Sequence, residues 1–418
     1  MPGACAIHVK EGLMTETLQP GSKGPLDDIR VIEMGSLLAG PFCGQLLGDM
    51  GAEVIKVEAP GMGDPMRIWG QEKSQGQSLW WPVVARNKKA ITLNCRVPEG
   101  QAIMRDLVAE SDILLENFRP GTMERWGLDY ETLSQINPRL IMIRVSGQGQ
   151  TGPYSKRAGY GSVGEAMGGL RYVVGDPSSP PSRVGISIGD SLAATFATVG
   201  ALSALHFRDR TGKGQVVDSA IYEAVLAMME SLVTEYQKAG YVRERTGSIL
   251  PNVAPSNVYP TADGSMILIA ANQDTVFKRF AAAMGQPELA EDPRYASHHA
   301  RGERQAELDD MIGRWTETLS AEELITLMEE NGVPVGKIYR APDMLEDPHF
   351  KAREAIVRVM HPELGELAMQ NVVPKLSLTP GSVRSCGPEM GQHNAEIYGD
   401  LLGISQEQMG QLSRDGII

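Results

Sequence analysis

Cysteine is scarce in this sequence of 418 residues. The four present, Cys5, Cys43, Cys95 and Cys386, are scattered and form no CxxC pair. That excludes a disulfide framework and a cysteine-rich zinc site, and it fits a reducing, cytoplasmic setting. Histidine offers no metal-ligand spacing either. His298 and His299 are adjacent in a polar stretch and read as a solvated loop, so no metal is expected. Basic residues are outnumbered, with 39 Lys and Arg against 52 Asp and Glu and a formal net charge of −13. A field of that sign repels nucleic acid and anionic membranes, and neither is expected as a partner. No apolar run reaches the roughly 18 residues that span a bilayer. Residues 1–25 lack arginine and a sustained apolar stretch, so they read as a disordered tail rather than a targeting peptide. There is no GxxxxGK[ST] phosphate loop and no internal repeat.

What is present is ordinary for a globular chain, 42% apolar and 22% charged, long enough for two or three domains. Apolar runs at 29–34, 52–58, 89–94, 113–118 and 140–145 read as strands. Between them lie helical spacings at 42–50, at 98–111 with Pro98 at N1, and up to residue 136 behind an Asp129 cap. Strands alternating with helices predict an α/β fold, a parallel sheet with helices on both faces. Ligands of such sheets sit beyond the carboxyl ends of the strands, here the loops at Ser36, Gly61, Asn117 and Gly147. Residues 147–182, rich in Gly, Pro and Ser, read as an active-site cover. A short strand at 184–188, a buried helix at 192–205 and a strand at 216–221 follow. A long helix at 222–239 comes next, with Met228 and Met229 as core filler. After about residue 243 the pattern changes. A hairpin flanks Ala262-Asp263-Gly264, and helices are expected at 275–284 and 301–318. A third starts at a Ser320/Glu323 capping box. The expected units are a large domain at 26–225, a linker helix at 226–244 and a small α+β domain at 245–340. Short strands at 355–360 and 367–372 and a helix at 394–402 complete the chain.

Asp190 opens the alanine-rich helix. An acid there can be an N-cap, accepting from free first-turn N–H groups. It can also be a nucleophile or base at the positive end of a dipole, where the same N–H groups stabilise an oxyanion. Two GxGxxG strings occur, at Gly147, Gly149 and Gly152 and at Gly159, Gly161 and Gly164. Neither joins a strand to a helix, so no nicotinamide or flavin is expected. Asn117, Arg119 and Arg125 cluster beyond one strand end, and Asp64 and Arg67 beyond another. They are either solvated loop groups or a phosphate-recognising set for a nucleotide-like ligand.

These same stretches carry a resemblance. SLLAGPFCGQLLGDMGAEVIKVEAPGMGDPMR resembles the N-terminal signature of class III CoA-transferases, the family of formyl-CoA and carnitine CoA-transferases, related to the 2-methylacyl-CoA racemases. ENFRPGTMERWGLDYETLSQINPRLIMIRVSGQGQTGPY, GYGSVGEAMGG and VGISIGDSLAATFATVGALSALHFRDRTGKGQ extend it over roughly residues 25–405. The resemblance implies an interlocked homodimer, each chain with a large Rossmann-like domain and a small domain, and residues 341–418 returning to the large one. It implies Asp190 as the nucleophile, passing through an aspartyl anhydride and an aspartyl-CoA thioester. Leu37, Leu38, Leu93, Arg96, Asn117, Phe118, Arg119 and Arg125 would contact CoA, and Tyr160 would sit in the substrate pocket. Acyl-CoA and a small carboxylic acid, such as succinate or glutarate, would be substrates, with no tightly bound cofactor. Ala59, Leu38 and the absence of a tandem-glycine loop between Ile249 and Pro260 depart from the oxalate enzymes and point away from oxalate. Two rival readings are an acyl-CoA racemase and a non-catalytic CoA-binding protein. Racemase relatives carry histidine where Tyr160 stands, which favours the transferase.

Overall fold

A computed structural model describes residues 24–418, so the tail expected at the start falls almost wholly outside the described residues. The first half of the chain lays down β1 (Arg30–Glu33), α1 (Ala39–Asp49), β2 (Glu53–Glu58), β3 (Lys88–Thr92) and α2 (Pro98–Ala109). Then come β4 (Ile113–Glu116), α3 (Tyr130–Ile136), β5 (Ile141–Ser146), α4 (Gly161–Met167), α5 (Ile188–Thr211) and β6 (Val216–Ala220). The six strands pair in parallel in the order β3-β2-β1-β4-β5-β6. Ile32 is in register with Ile55 on one side and Leu114 on the other. Val31, Ile32, Ile55, Leu114, Leu115 and Ile143 are all fully buried, as strands covered on both faces require. That spatial order is the doubly wound one, with its switch point between β1 and β4.

The chain divides into two compact units. One holds the described residues up to Gly168, Ser187–Met229 and Ala352–Ile418, and so contains the parallel sheet. The other, Gly169–Ile186 with Glu230–Lys351, is built on an antiparallel sheet. Its strands are β7 (Ser256–Pro260), β8 (Met266–Ala270) and β9 (Val335–Lys337). Its core joins Ile267 and Ile269 to Phe277, Phe280, Leu308, Ile312 and Leu324. The expected hairpin is present, and Ser320 and Glu323 form the expected capping box.

Four readings of local structure change. Residues 184–188 are not a strand: α5 begins at Ile188, and Gly185 turns to φ +40 just before it. An isolated extended run there would leave its backbone unpaired. The helix expected at 222–239 is two, Ile221–Leu226 and Leu232–Ala239. Glu230 breaks it with φ +53, and Arg243 holds Glu230 (2.9 Å), Ser231 (3.2 Å) and Glu235 (2.9 Å) at the break. Of the paired methionines, Met229 is buried and Met228 exposed. The helix expected at 301–318 is also two, His298–Glu303 and Gln305–Thr316, and the two histidines start the first rather than a loop. Close before the break stands Arg301, fully buried, whose guanidinium donates to the carbonyls of Ala254, Tyr295 and Asn272 and to Asp274. Finally, Gln406–Arg414 is a helix, opened by a Ser405/Gln408 capping box, that the pattern alone did not separate.

α5 needs its own note, because it carries Asp190. Its alanines 193, 194, 197, 201 and 204 are buried, and their small size lets it lie close on α1 and on β5 and β6. By length and composition it alone among the described residues could cross a bilayer. Packed this way, it covers the sheet with its small-residue face. It is not buried all round, since Phe196, Val199, Leu202 and Phe207 are exposed along it.

Candidate active site

The loop after β1, Gly35 to Leu38, lies at the switch point and is clamped from two sides. From the residue just after β4, Asn117 Oδ1 accepts from the Ser36 N–H at 2.8 Å, and its Nδ2 donates to the Ser36 carbonyl at 2.9 Å. From the loop after β2, Asp64 Oδ1 accepts from the N–H groups of Leu37 (3.1 Å) and Met66 (2.9 Å). Leu37 is thereby held at φ +64, a left-handed conformation costly for a side chain branched this way. Lys56 of β2 points under the loop. Its ammonium donates to the Gly35 carbonyl and pairs with Asp64 at 2.7 Å and Glu33 at 3.1 Å. Burial alone would lower the Lys56 ammonium, but the Glu33 and Asp64 carboxylates hold it well above the usual lysine range. Lys88 completes the group with a 2.7 Å pair to the other oxygen of Glu33.

Asp64 and Arg67 therefore fit neither sequence expectation. Asp64 is 4% exposed and ion-paired. Arg67 forks onto Glu58 at 2.7 and 2.8 Å and lies 3.8 Å over the Trp81 ring, so its guanidinium is engaged inside the protein.

Beside this loop is a cavity of about 230 Å³. Ser36, Glu58, Met62, Leu93, Asn94, Cys95, Arg96, Phe118 and Trp126 are among the residues that line it. Phe118 and Trp126 meet edge to face with centroids 5.2 Å apart, giving an apolar wall. Burial pushes the Cys95 thiol up to about 12, so it is neutral. The Leu93–Arg96 wall is itself tied down, with the Asn94 N–H donating to the Ile417 carbonyl at 2.7 Å. Of the sequence-derived set, Leu93, Arg96 and Phe118 meet here. Leu37 and Leu38 instead pack on Met66, Trp81, Val84 and Ala85. The Asn117 amide faces Ser36, while Arg119 and Arg125 are exposed, Arg125 donating to Thr122 Oγ1 at 3.0 Å. Met62 and Trp126 were not singled out by sequence. Trp126 carried a signal, an aromatic directly after Arg125 beyond a strand end, and Met62 carried none.

Asp190 is the third residue of α5, partly buried, with Ser187 at the cap position. The N-cap role therefore does not fall to Asp190. Its carboxylate rests on the Cα of Gly161, where any Cβ would collide with it. Tyr160 precedes that glycine at the start of α4 and is 68% exposed. The neighbouring N–H of Gly189 donates to Glu165 Oε1 at 3.3 Å. Glu165 is 1% exposed and comes from α4. Sequence reasoning passed over Glu165, because a single acid in a glycine-rich helix has no spacing to mark it.

A doubly wound parallel sheet, a cavity at its switch point and a partly buried carboxylate at a helix start agree with the sequence profile named CoA-transferase family III, which matches residues 26–394. The chain is a family III CoA-transferase. It is 64% identical to a succinyl-CoA--D-citramalate CoA-transferase of Chloroflexus aurantiacus, over 94% of this chain and 98% of that one. It is 35% identical to a succinate--glutarate CoA-transferase of Agrobacterium fabrum, over 93% and 99%. The crystal structure of a CAIB/BAIF family protein from Brucella suis superposes with a TM-score of 0.82 at 34% identity, covering 91% of this chain and 100% of that one. As a CoA-transferase, the enzyme takes CoA thioesters as substrates.

Proposed function

We propose that this enzyme moves CoA from succinyl-CoA to a small dicarboxylate, with a 2-hydroxy diacid of the citramalate type as acceptor. The observation that carries this is the 64% identity, over nearly the whole of both chains, to the succinyl-CoA--D-citramalate enzyme. The Asp190 carboxylate attacks the thioester carbonyl, a C–O bond forms, the C–S bond breaks and CoA leaves as thiolate. The thiolate then attacks the Asp190 carbonyl of the mixed anhydride, giving aspartyl-CoA and free succinate. The acceptor carboxylate opens that thioester, again releasing the thiolate, which takes the acceptor's acyl group and returns Asp190. No net proton or electron moves, and each step exchanges acyl bonds of similar energy. Placement at the start of α5 supports this role, because the helix dipole favours negative charge there.

In this reading Leu93, Arg96 and Phe118 hold the nucleotide end of CoA, and the exposed guanidiniums of Arg119 and Arg125 meet its phosphates. Leu37, Leu38 and Asn117 form the wall behind them, and Tyr160 covers the acyl group. The working unit is a cytoplasmic homodimer, supported by the apolar row Phe196, Val199, Leu202 and Phe207 on α5. The test is Asp190→Ala, assayed with succinyl-CoA and a panel of diacids. Transfer is expected to vanish. Hydroxylamine followed by mass spectrometry should mark Asp190 only in the wild-type enzyme with acyl-CoA. Turnover retained in the purified variant would remove Asp190 from the reaction.

A further inference from the structure

The buried cluster beneath the cavity has no part in acyl transfer as written, yet it is built around a strained residue. We propose that Asp64 is a positioning residue, whose carboxylate holds Leu37 left-handed and so sets the wall against which the CoA nucleotide packs. This rests on the cavity being the CoA site. One oxygen of Asp64 accepts from the Leu37 and Met66 N–H groups, and the other is held at 2.7 Å by Lys56. Lys56 also donates to the Gly35 carbonyl, so the carboxylate and the ammonium grip the two ends of the same turn. The Asp64 N–H donates to Glu58 Oε2 at 2.7 Å, which fixes the carboxylate from its own backbone. Gly35, Ser36, Lys56, Glu58 and Asp64 all line the cavity, so a relaxed Leu37 would move its boundary. A residue other than glycine at φ +64 relaxes toward negative φ unless the surroundings over-determine it, and here two hydrogen-bonded side chains do so.

The experiment is a double-mutant cycle on the full-length enzyme. Asp64→Asn leaves a single acceptor oxygen where two were engaged. Asp64→Glu keeps the charge beside Lys56 but shifts the oxygens off the Leu37 amide, and so keeps the cycle available if the amide variant does not fold. Each is made alone and with Leu37→Gly, since glycine adopts the left-handed turn unaided. Expected is a rise in KM for succinyl-CoA of about tenfold for either Asp64 change with Leu37 present, with kcat within about twofold. With Leu37→Gly in place the same change should move KM by less than about threefold. Equal fold-changes in both backgrounds, or an unmoved KM, would overturn the proposal. Hydrogen exchange in the wild-type enzyme separates it from the reading beneath it. If CoA protects neither residues 35–38 nor 93–96, the cavity is not the CoA site and both fall. If it protects them while the cycle is additive, only the role of Asp64 falls.

Discussion

Glu165 and Gly189 show how one buried hydrogen bond can fix the start of a helix. A carboxylate at 1% exposure is costly unless its acceptors are used, and one oxygen here takes the Gly189 N–H. Gly189 is the residue before Asp190, so Glu165 fixes the first turn of α5 from outside. Glu165→Ala is expected to lower kcat at least about tenfold with KM for succinyl-CoA within about threefold, and Glu165→Gln, which keeps an acceptor, to recover most of it. A loss confined to KM would count against this. Cys95 gives a second residue-level outcome. Its thiol, raised to about 12 by burial, should react with iodoacetamide at least about a hundredfold more slowly than a free thiol at neutral pH, and more slowly still with CoA bound. Little of this was legible in sequence. Asp190 stood out as the acid at the mouth of an alanine-rich run, where capping and nucleophilic roles were both open, and the family resemblance decided for the nucleophile. Asp64 stood out only as a loop acid, solvated or part of a phosphate-recognising set, and Lys56 not at all, because a lysine inside an apolar strand reads as one outward-facing position until its partners are known.

At the scale of elements, β1 to β5 were readable because strands covered on both faces are continuous apolar runs set apart by helical spacing. α5 was misjudged at its start and on its outer face, since periodicity cannot tell a helix with one small-residue face from one buried all round. The breaks at Glu230 and Arg304 escaped for a related reason: beside each lies an arginine whose partners the sequence does not show. Arg301→Met is expected to destabilise by about 3 kcal/mol, because the Asp274 carboxylate and three carbonyls lose their donor. Urea unfolding measures it, and a change under about 1 kcal/mol would refute it. The turn between β7 and β8 carries a pH effect. Hydrogen bonds from Thr261 Oγ1 and the Ser265 N–H pull the Asp263 carboxyl down to about 2. A carboxyl lowered on folding adds stability above its unfolded pKa of roughly 4, and that share is lost as pH falls toward 2. Asp263→Asn should therefore unfold at lower urea than wild type at pH 6, and the gap should close by pH 2. A gap that widens with acid would reverse the assignment.

At the scale of the molecule, the exposed row on α5 predicts self-association. Leu202→Asp with Phe207→Lys is expected to give a smaller species in light scattering than wild type. An unchanged mass would place the contact elsewhere. The charges under the cavity have a different reach. Glu33, Glu58 and Asp64 face Lys56, Lys88 and Arg67, so the cluster as a whole is neutral. It exerts little pull on a polyanion above it. If the cavity is the CoA site, the attraction felt by an incoming thioester then falls to the exposed guanidinium of Arg96 at its edge, where counter-ions compete freely. Added potassium chloride should accordingly slow capture of the donor while leaving the melting temperature almost untouched, a separation between recognition and stability that an unbalanced cluster would not allow.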